Sequence, residues 1–290
     1  MRKSIASISY ISVMEWSEIH ARPDLPGVEV LHAHFVQHRY ARHAHEYAVI
    51  GLVESGVQSY SYRGVRHRTG PNGIFVVNPD EAHTGEAGDA DGYVYRALYP
   101  TQEFLTRIGA DIPGPLRFRD PVIYRASVSN KLRSAHLAIE QGESTIACEA
   151  LLLDAITSLA RCNGVTAPQV GGPRNARHEV RRVLAFIEAH PIADVSLARL
   201  AGLVELSPYH LAHVFARDVG LPVHVYAEVV RIRHARTLLK GELSISQIAY
   251  QLGYADQSHF THRFKRFQGV TPGQYRRSAQ WSNTNLQSHQ

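Results

Sequence analysis

One local pattern occurs twice between Val195 and Arg276, and this repeat constrains the fold more than any other feature of the sequence. Each copy has a capping Ser, a short amphipathic segment, a break of a few residues, and a second segment that opens with Ser or Asp. The first copy begins at Ser196 and the second at Ser246. Two short helices joined by a tight turn form a helix-turn-helix unit, whose second helix can enter the major groove of DNA. The sequence therefore predicts two such units.

The second helix of each predicted unit has an apolar face and an outward face. Apolar residues recur at core spacing as Leu211, Val214 and Phe215 in the first unit and as Phe260, Phe264 and Phe267 in the second. The outward face of the second is polar without being acidic, and its amide, hydroxyl and imidazole groups can bond to base edges. The residues expected to contact DNA are Ser207, Tyr209, His213, Gln257, Ser258, Thr261, His262 and Lys265. A solvated face is the alternative for one helix alone, but two copies favour DNA reading.

The run from Pro222 to Lys240 joins the two units and is predicted to form one long helix. It has Pro at its start, apolar residues at helical spacing, and Gly241 just past its end. At 1.5 Å per residue it spans roughly 28 Å. This length suits two helices that enter major-groove segments about 34 Å apart. One chain is therefore expected to contact two adjacent turns of DNA.

Several segments of the repeat match a known family. They are Leu200-Ala201, Ser207, His210-Leu211, Ile245, Ile248-Ala249, Gly253-Tyr254, Ser258-His259-Phe260, Arg263-Phe264-Lys265 and Gly269-Val270-Thr271-Pro272-Gly273-Gln274-Tyr275-Arg276. Over roughly Arg177 to Arg277 the chain resembles the DNA-binding domain of the AraC/XylS family of bacterial transcription regulators. The resemblance implies base contacts at Tyr209, Ala212, His213, Gln257, Ser258, Thr261 and His262. Family members often carry Arg or Gln at the position of Ala212, so this chain departs from the pattern there.

Charge differs between the two halves of the chain. Residues 175–278 contain 14 Lys and Arg against 8 Asp and Glu, whereas residues 1–162 contain 16 against 18. A basic C-terminal half fits a phosphate backbone, and the candidates for such contacts are Arg231, Arg233, Arg236, Lys265 and Arg266. No window approaches the ~18 apolar residues of a membrane span, and the first residues lack a signal-peptide core. We therefore expect the chain to stay in the cytoplasm.

The first half of the sequence has short candidate strands separated by turn residues. They are Val28 to Phe35, Tyr47 to Val53, Gln58 to Tyr62, Gly73 to Val77 and Gly92 to Leu98. Strands at this spacing without helices between them are typical of a small barrel or jelly roll.

Histidines in this region are arranged as His43-Ala44-His45-Glu46-Tyr47, followed later by His83. The arrangement resembles a cupin barrel, the usual sensing domain of sugar-responsive members of the same family. In metal-binding cupins, two His separated by one residue, a Glu shortly after and a later His hold an ion. Three of these ligands match, but Val49 and Ile50 stand where the Glu should fall.

The missing Glu favours a small organic effector over a metal, so we expect no metal and no other cofactor. Expected lining residues are His43, His45, Tyr47, Tyr60, Tyr62, His83, Tyr95 and Arg96. For each of these tyrosines, a place in the barrel core is the alternative. A metal held by the three histidines stays open as the second interpretation.

After Pro121 the periodicity becomes helical, over Ser129 to Glu140 and Ser144 to Cys162. The second of these helices is apolar over more than one stripe, which fits a contact with a second subunit or burial within the monomer. The fold class is thus α+β, with a cupin-like β-barrel and its C-terminal helices linked to an all-α domain of two helix-turn-helix units. The expected parts are a sensing and dimerisation domain at 1–162, a linker at 163–175, a DNA-binding domain at 176–278 and a disordered tail at 279–290.

The predicted function is a sequence-specific transcription regulator of the AraC type, not an enzyme, whose DNA binding is modulated by an effector in the barrel. Its expected partners are double-stranded DNA, a small-molecule effector, a second copy of the chain and RNA polymerase. One alternative is a metal-dependent cupin enzyme fused to a DNA-binding domain. Another is a constitutive DNA-binding factor whose barrel only dimerises.

Overall fold

The computed structural model describes residues 14–107, 116–165, 176–192 and 196–285, with the backbone alone at 165 and 280–285. Most of the predicted linker, 166–175, lies outside these ranges. The first residues of that linker belong to the folded structure, because Asn163 ends a helix and Gly164 opens a short strand. Within the described ranges, no helix combines the length and apolarity that a membrane crossing needs.

The strands of the N-terminal part are β1 (Trp16–Ala21), β2 (Val28–Phe35), β3 (Tyr40–His43), β4 (Val49–Gly56), β5 (Gln58–Tyr62), β6 (Val65–Thr69), β7 (Ile74–Val77), β8 (His83–Ala87), β9 (Tyr93–Pro100), β10 (Arg117–Phe118), β11 (Val122–Ile123) and β12 (Gly164–Val165). The larger sheet has the order β1-β2-β9-β4-β7-β11, the smaller has the order β3-β8-β5-β6, and β10 pairs with β12. Neighbouring strands run antiparallel. The two sheets form the barrel that the strand spacing predicts.

Side chains alternate between the two faces of the larger sheet, and each face packs in a different hydrophobic core. Leu31 and Phe35 of β2 share a core with Tyr60 of the smaller sheet, inside the barrel. Val28 and Val30 of the same strand pack outside the barrel, in a core with helical residues. Burial of both faces explains why central strands such as β4 read as continuous apolar runs rather than alternating ones.

Three helices complete the N-terminal part: α1 (Gln102–Arg107), α2 (Ala126–Glu140) and α3 (Thr145–Asn163). Ser144 caps the N-terminus of α3, because its side chain accepts a hydrogen bond from the amide of Ala147. Buried residues of α2 and α3 belong to the outer core of the larger sheet. One side of α3 faces solvent, because Ile146 is 77% exposed and Leu151 is 36% exposed.

A network of charged side chains connects α2 to the outer face of the larger sheet. Arg96 on β9 donates to Glu140 at 2.5 Å, and Nδ1 of His32 lies 3.1 Å from the same carboxylate. Burial raises the pKa of Glu140, but hydrogen bonds from His136, His32 and Arg96 outweigh it and hold the pKa well below the ordinary value of 4.5. The ionised carboxylate is therefore the form that stabilises the fold.

The lowered pKa of Glu140 predicts how stability depends on pH. The contribution of this carboxylate is fully present above pH 4.5 and is lost as the pH falls below 4.5 toward the folded pKa. We expect the urea midpoint to drop between about pH 5 and pH 3. The Glu140→Gln variant should be less stable than wild type at pH 7 and should lose less over the acid range. Equal acid loss in both proteins would contradict this role of Glu140.

The helices of the C-terminal part are α4 (His178–Ala189), α5 (Leu197–Leu203), α6 (Pro208–Val219), α7 (Val223–Leu239), α8 (Ile245–Gln251), α9 (Gln257–Gln268) and α10 (Pro272–Asn285). Helices α5 and α6 form the first helix-turn-helix unit, and α8 and α9 form the second. The linking helix α7 has 17 residues, which corresponds to about 25 Å.

Two details differ from the sequence prediction. Helix α8 is capped by Ser244 rather than Ser246, because the side chain of Gln247 bonds back to the amide of Ser244 and completes a capping box. The segment predicted as a disordered tail from residue 279 is helical through Asn285, since α10 starts at Pro272 and contains no Gly or Pro after its first turn that would end it. Residues 286–290 lie outside the described ranges.

The apolar faces of α6 and α9 are buried as their spacing predicts. Leu211 and Phe215 of α6 lie in a core formed by α4 to α7. Phe260 and Phe264 of α9 are completely buried. The second unit packs together with the interior of the barrel, since Phe260 and Phe264 belong to the same contiguous core as Phe35 and Tyr95. The sequence does not predict this shared core.

Candidate nucleic-acid interface and barrel cavity

The outward faces of α6 and α9 present most of the predicted DNA contacts to solvent. Exposed residues are Ser207, Tyr209, His213, Gln257, Ser258 and His262, whereas Thr261, Lys265 and Ala212 are partly buried. Tyr209 is 84% exposed although it is a large aromatic residue. Ser207 also caps α6, because its hydroxyl accepts a hydrogen bond from the amide of His210.

A buried carboxylate fixes α9 against the linking helix. Glu228 of α7 is 6% exposed. It accepts hydrogen bonds from Nε of Arg263 at 2.9 Å and from the hydroxyl of Tyr254 at 3.2 Å, and Arg231 pairs with its other oxygen at 3.3 Å. A buried carboxylate with charged and hydroxyl donors is satisfied rather than orphaned. Glu228 therefore positions α9, and its polar face, relative to α7.

The arginines of α7, which the sequence predicts as phosphate contacts, are each paired with a carboxylate in this structure. Arg231 pairs with Glu228, Arg233 with Glu188, and Arg236 with Glu29. Sequence alone gives each residue its charge but not its partner. Among the predicted phosphate contacts, Lys265 and Arg266 of α9 line a surface groove and stay available to a ligand there.

The barrel encloses a cavity of about 60 Å³. Predicted residues that line it are His43, His45, Tyr47, Tyr60, His83 and Tyr95. Lining residues that the sequence prediction omits are Ile19, Glu29, Tyr40, Val49, Gln58, Phe75, Val77, Thr84, Gly85, Tyr93, Tyr99, Phe267 and Gln268. Side chains alternate between the two faces of a strand, so Tyr93 and Tyr95 of β9 point the same way. This alternation could have identified Tyr93 as a lining residue.

Two predicted lining residues lie elsewhere. Arg96 is a neighbour of Tyr95 on β9, so its side chain leaves the opposite face of the sheet and pairs with Glu140 and Glu54 outside the barrel. Tyr62 is buried in the barrel core, but its hydroxyl accepts a hydrogen bond from the amide of Asn78 and it is absent from the cavity wall. The prediction of Arg96 as a cavity residue is wrong because the sequence does not fix the direction of each side chain. Tyr62 instead takes the place in the barrel core that the sequence left open as the alternative for each tyrosine.

The histidines and tyrosines of the cavity wall are uncharged at neutral pH. Burial lowers the pKa of His43 to about 4 and that of His45 to about 3, and it lowers the pKa of His83 as well. Burial also raises the pKa of Tyr47 to about 12. The same three histidines form a group whose ligand atoms all lie within 4.8 Å of one another. Glu29 is the charged side chain of the wall, and Arg236 neutralises it.

The Glu29 cluster, formed by Glu29, Tyr47, Arg236 and Tyr275, joins the barrel to the C-terminal helices. Arg236 of α7 and the Tyr275 hydroxyl of α10 each donate to the Glu29 carboxylate at 2.8 Å. Arg236 also donates to the hydroxyls of Tyr47 at 3.3 Å and Tyr275 at 3.1 Å. Burial alone would raise the pKa of Glu29, but the positive charge of Arg236 and the Tyr275 hydroxyl lower it. The pair stays ionised.

The end of α9 lies at the barrel cavity. Phe267 and Gln268 line the cavity wall, and the rings of Phe267 and His43 are 5.9 Å apart. The helix ends at Gly269, which has a positive φ of 75°. A Cβ atom there would lie 2.1 Å from the hydroxyl of Tyr40, so only glycine permits this approach of helix and barrel.

The polar face of α9 also lies opposite the barrel. A groove of about 690 Å³ has Gln257, Ser258, Thr261, His262, Lys265 and Arg266 on one side and Gln37, His38, Arg39 and Tyr40 on the other. The second group consists of the connection between β2 and β3 and of Tyr40, the first residue of β3. The helix with the predicted base-reading residues therefore faces the barrel across a groove and touches its cavity with its last turn.

Comparisons with known proteins agree with this architecture. The model of the AraC-like ligand binding domain matches residues 25–156, and a model described as a helix-turn-helix domain matches residues 200–278. The chain belongs to the AraC family of transcription regulators. Its relatives include the uncharacterized HTH-type transcriptional regulator YbfI of Bacillus subtilis (strain 168), with 29% identity over 229 residues, which cover 77% of this chain and 82% of YbfI.

A second relative and a solved structure are also similar to this chain. The HTH-type transcriptional regulator GlxA of Rhizobium meliloti (strain 1021) is 43% identical over 89 residues, which cover 30% of this chain and 26% of GlxA. Unsaturated fatty acid-bound ToxT from Vibrio cholerae strain SCE256 superimposes with a TM-score of 0.53 at 12% identity, over 96% of this chain and 98% of ToxT. At that identity the likeness shows a shared fold.

Proposed function

We propose that this AraC-family regulator reads DNA with α6 and α9, and that a ligand in the barrel changes DNA affinity by altering the contact between the barrel and α9. The observation that carries the proposal is the position of Phe267 and Gln268, which belong to the reading helix and also to the cavity wall. A ligand that fills the cavity must act on these side chains. The ligand thereby favours one arrangement of α9 over another. Coupling between the cavity and the DNA-binding surface requires such a difference in ligand contacts between two arrangements.

The cavity wall indicates the chemistry of the effector. Its phenol, imidazole and amide groups are neutral hydrogen-bonding partners, and its one carboxylate among the described residues is already paired with Arg236. A ligand carboxylate would find no unpaired cation on this wall within the described ranges. We therefore infer an uncharged ligand with several hydrogen-bonding groups, unlike the fatty acid that the ToxT structure contains. A cavity of about 60 Å³ admits it only if side chains such as Phe267 move.

Base reading is tested by replacing exposed polar residues of α9. Gln257→Ala and His262→Ala should each weaken binding to a selected specific site by ~1–3 kcal/mol and change binding to random DNA little, because base contacts carry the sequence information. Selection of bound fragments from genomic DNA supplies the specific site, and fluorescence anisotropy at fixed salt gives the affinities. Glu242→Ala, an exposed change outside α9, is the control.

An equal loss on specific and random DNA would remove Gln257 and His262 from the reading role. Lys265→Ala provides a useful contrast, because a phosphate contact positions the helix and its loss weakens binding to both DNAs.

We further propose that two copies of the chain associate through α3. Its exposed side chains Ile146 and Leu151 support this, since they place apolar surface on the side of α3 that faces solvent. A dimer would place four reading helices on DNA. A regulator of this type would also contact RNA polymerase and act in the cytoplasm. We place the boundary between its sensing and DNA-binding domains in the segment 166–175. The barrel then acts as a sensor rather than a catalyst, and ligand-induced thermal stabilisation without turnover is its signature.

A further inference from the structure

The groove between α9 and residues 37–40 has basic side chains on both of its walls. Lys265 and Arg266 line it on the helix side, and Arg39 lines it on the barrel side. The other lining residues in the described part of the chain carry amide, hydroxyl, phenol or imidazole groups, and none carries a carboxylate. A concave surface with several cations and no anion favours a negatively charged ligand.

Arg39 adds a positive charge to the groove that its neighbours do not cancel. It pairs with Glu86 at 3.4 Å, and the same carboxylate pairs with Arg66 at 2.6 Å. Two arginines therefore share one negative charge. The Arg39 side chain is 79% exposed, so its ion pair is weak and its guanidinium can turn toward a ligand in the groove.

The barrel segment that carries Arg39 is held in place at both ends. The carboxylate of Glu15 accepts hydrogen bonds from the amides of residues 36–38 at 2.5–2.8 Å. Tyr40 lies so close to Gly269 that the end of α9 has no space for a side chain there. Segment and helix therefore form one surface of fixed shape, which lowers the entropic cost of binding a ligand across both.

We propose that this groove holds the phosphate backbone of one DNA strand, so that the barrel itself takes part in DNA binding through Arg39 and Gln37. The inference rests on the proposed function, in which α9 reads bases. A helix about 10–12 Å across that enters a major groove about 12 Å wide has a phosphate backbone on each side. The barrel wall lies opposite the predicted reading residues of α9. A strand that passes between the two walls meets cations from both, and such contacts position the protein on DNA.

The salt dependence of DNA binding by the full chain counts phosphate contacts, because each contact adds about 0.9 to the slope of log affinity against log salt. Arg39→Ala should lower this slope by about 0.9. It should also weaken binding by roughly 3- to 10-fold at about 0.1 M salt, by the same factor on a selected site and on random DNA. Arg39→Lys should keep most of the slope, because it keeps the charge. Fluorescence anisotropy across a series of KCl concentrations measures both quantities.

Arg68→Ala is the matched control, since Arg68 is an exposed arginine on β6 of the same barrel and is not among the described residues that line the groove. It removes the same charge from the barrel, so its slope should equal that of wild type. Thermal unfolding shows whether each variant folds. An unchanged slope in Arg39→Ala, an equal loss in Arg68→Ala, or tighter DNA binding by Arg39→Ala would overturn the proposal.

A chemical nuclease locates the barrel segment on DNA. Gln37→Cys, combined with Cys162→Ser because Cys162 is exposed, is labelled with an iron–EDTA reagent and bound to the selected site. We expect cleavage at backbone positions that flank the bases protected by α9, and no such cleavage from Ser61→Cys, an exposed position on β5. Absence of cleavage from Gln37→Cys, with specific binding still lost in Gln257→Ala, would overturn the barrel contact and leave base reading intact. Cleavage with unchanged specificity in Gln257→Ala would refute base reading alone.

Discussion

Replacing Phe264 with Ala should lower the free energy of unfolding of the second helix-turn-helix unit by ~3–5 kcal/mol and abolish specific DNA binding. The side chain is completely buried, and its ring packs 5.7 Å from the rings of both Phe260 and Tyr275. Removing it leaves a cavity in the core that α9 shares with the barrel. Since Tyr275 belongs to the Glu29 cluster, the contact between barrel and helices should weaken as well.

Urea unfolding followed by circular dichroism and anisotropy on a selected DNA site measure both effects of Phe264→Ala. Tyr250→Ala is the control, because Tyr250 lies in the same unit but is 87% exposed, and surface changes are usually within ±0.5 kcal/mol. A Phe264→Ala protein that kept wild-type stability and specific binding would show that α9 is not held by its aromatic face.

Replacing Glu29 with Ala should destabilise the junction between barrel and C-terminal helices by ~3–5 kcal/mol, because it leaves the largely buried guanidinium of Arg236 without its carboxylate. Tyr275 loses its acceptor in the same step. With the Glu29 cluster gone, the arrangement of α9 should depend less on the cavity. We therefore expect DNA affinity to become nearly independent of any ligand that stabilises the wild-type barrel.

Hydrogen exchange locates the effect of Glu29→Ala. Amides of the second half of α7, of α9 and of α10 should exchange faster. Amides of α4 to α6, which share a separate core with the first half of α7, should exchange at the wild-type rate. Glu46→Ala is the matched control, since Glu46 also pairs with an arginine of α7 but at 3.8 Å and with half its side chain exposed. Uniformly faster exchange, or the same result in Glu46→Ala, would contradict a specific role for the Glu29 cluster.

The sequence predicts the elements that follow from local periodicity. The spacing of Phe260 and Phe264 identifies the buried face of α9, and Asp256 and Gly269 at its two ends identify where this helix starts and stops. Strands β2 and β5 have the predicted bounds. These features depend on residues that are close to one another in the chain, so a single sequence is sufficient to predict them.

Long-range partners could not be predicted. The sequence predicts Arg236 as a phosphate contact, whereas in the structure it donates to Glu29, which is far away in the sequence. The sequence predicts Arg96 as a cavity residue, whereas the register of β9 places its side chain on the outer face of the sheet. Phe267 fits a helix core and gives no sign that it also closes the barrel cavity. In each case the role depends on a tertiary contact, and periodicity describes only which face a residue occupies.

The central claim is that one chain reads two successive major-groove segments, with α6 on one and α9 on the other. Base-resolution footprinting on a selected site tests it most directly, with wild type, Gln257→Ala and His213→Ala compared at equal occupancy. We predict two protected segments per chain about one helical turn apart, with the first variant losing protection in one segment and the second variant in the other. A single protected segment, or the same loss of protection from both variants, would contradict the claim.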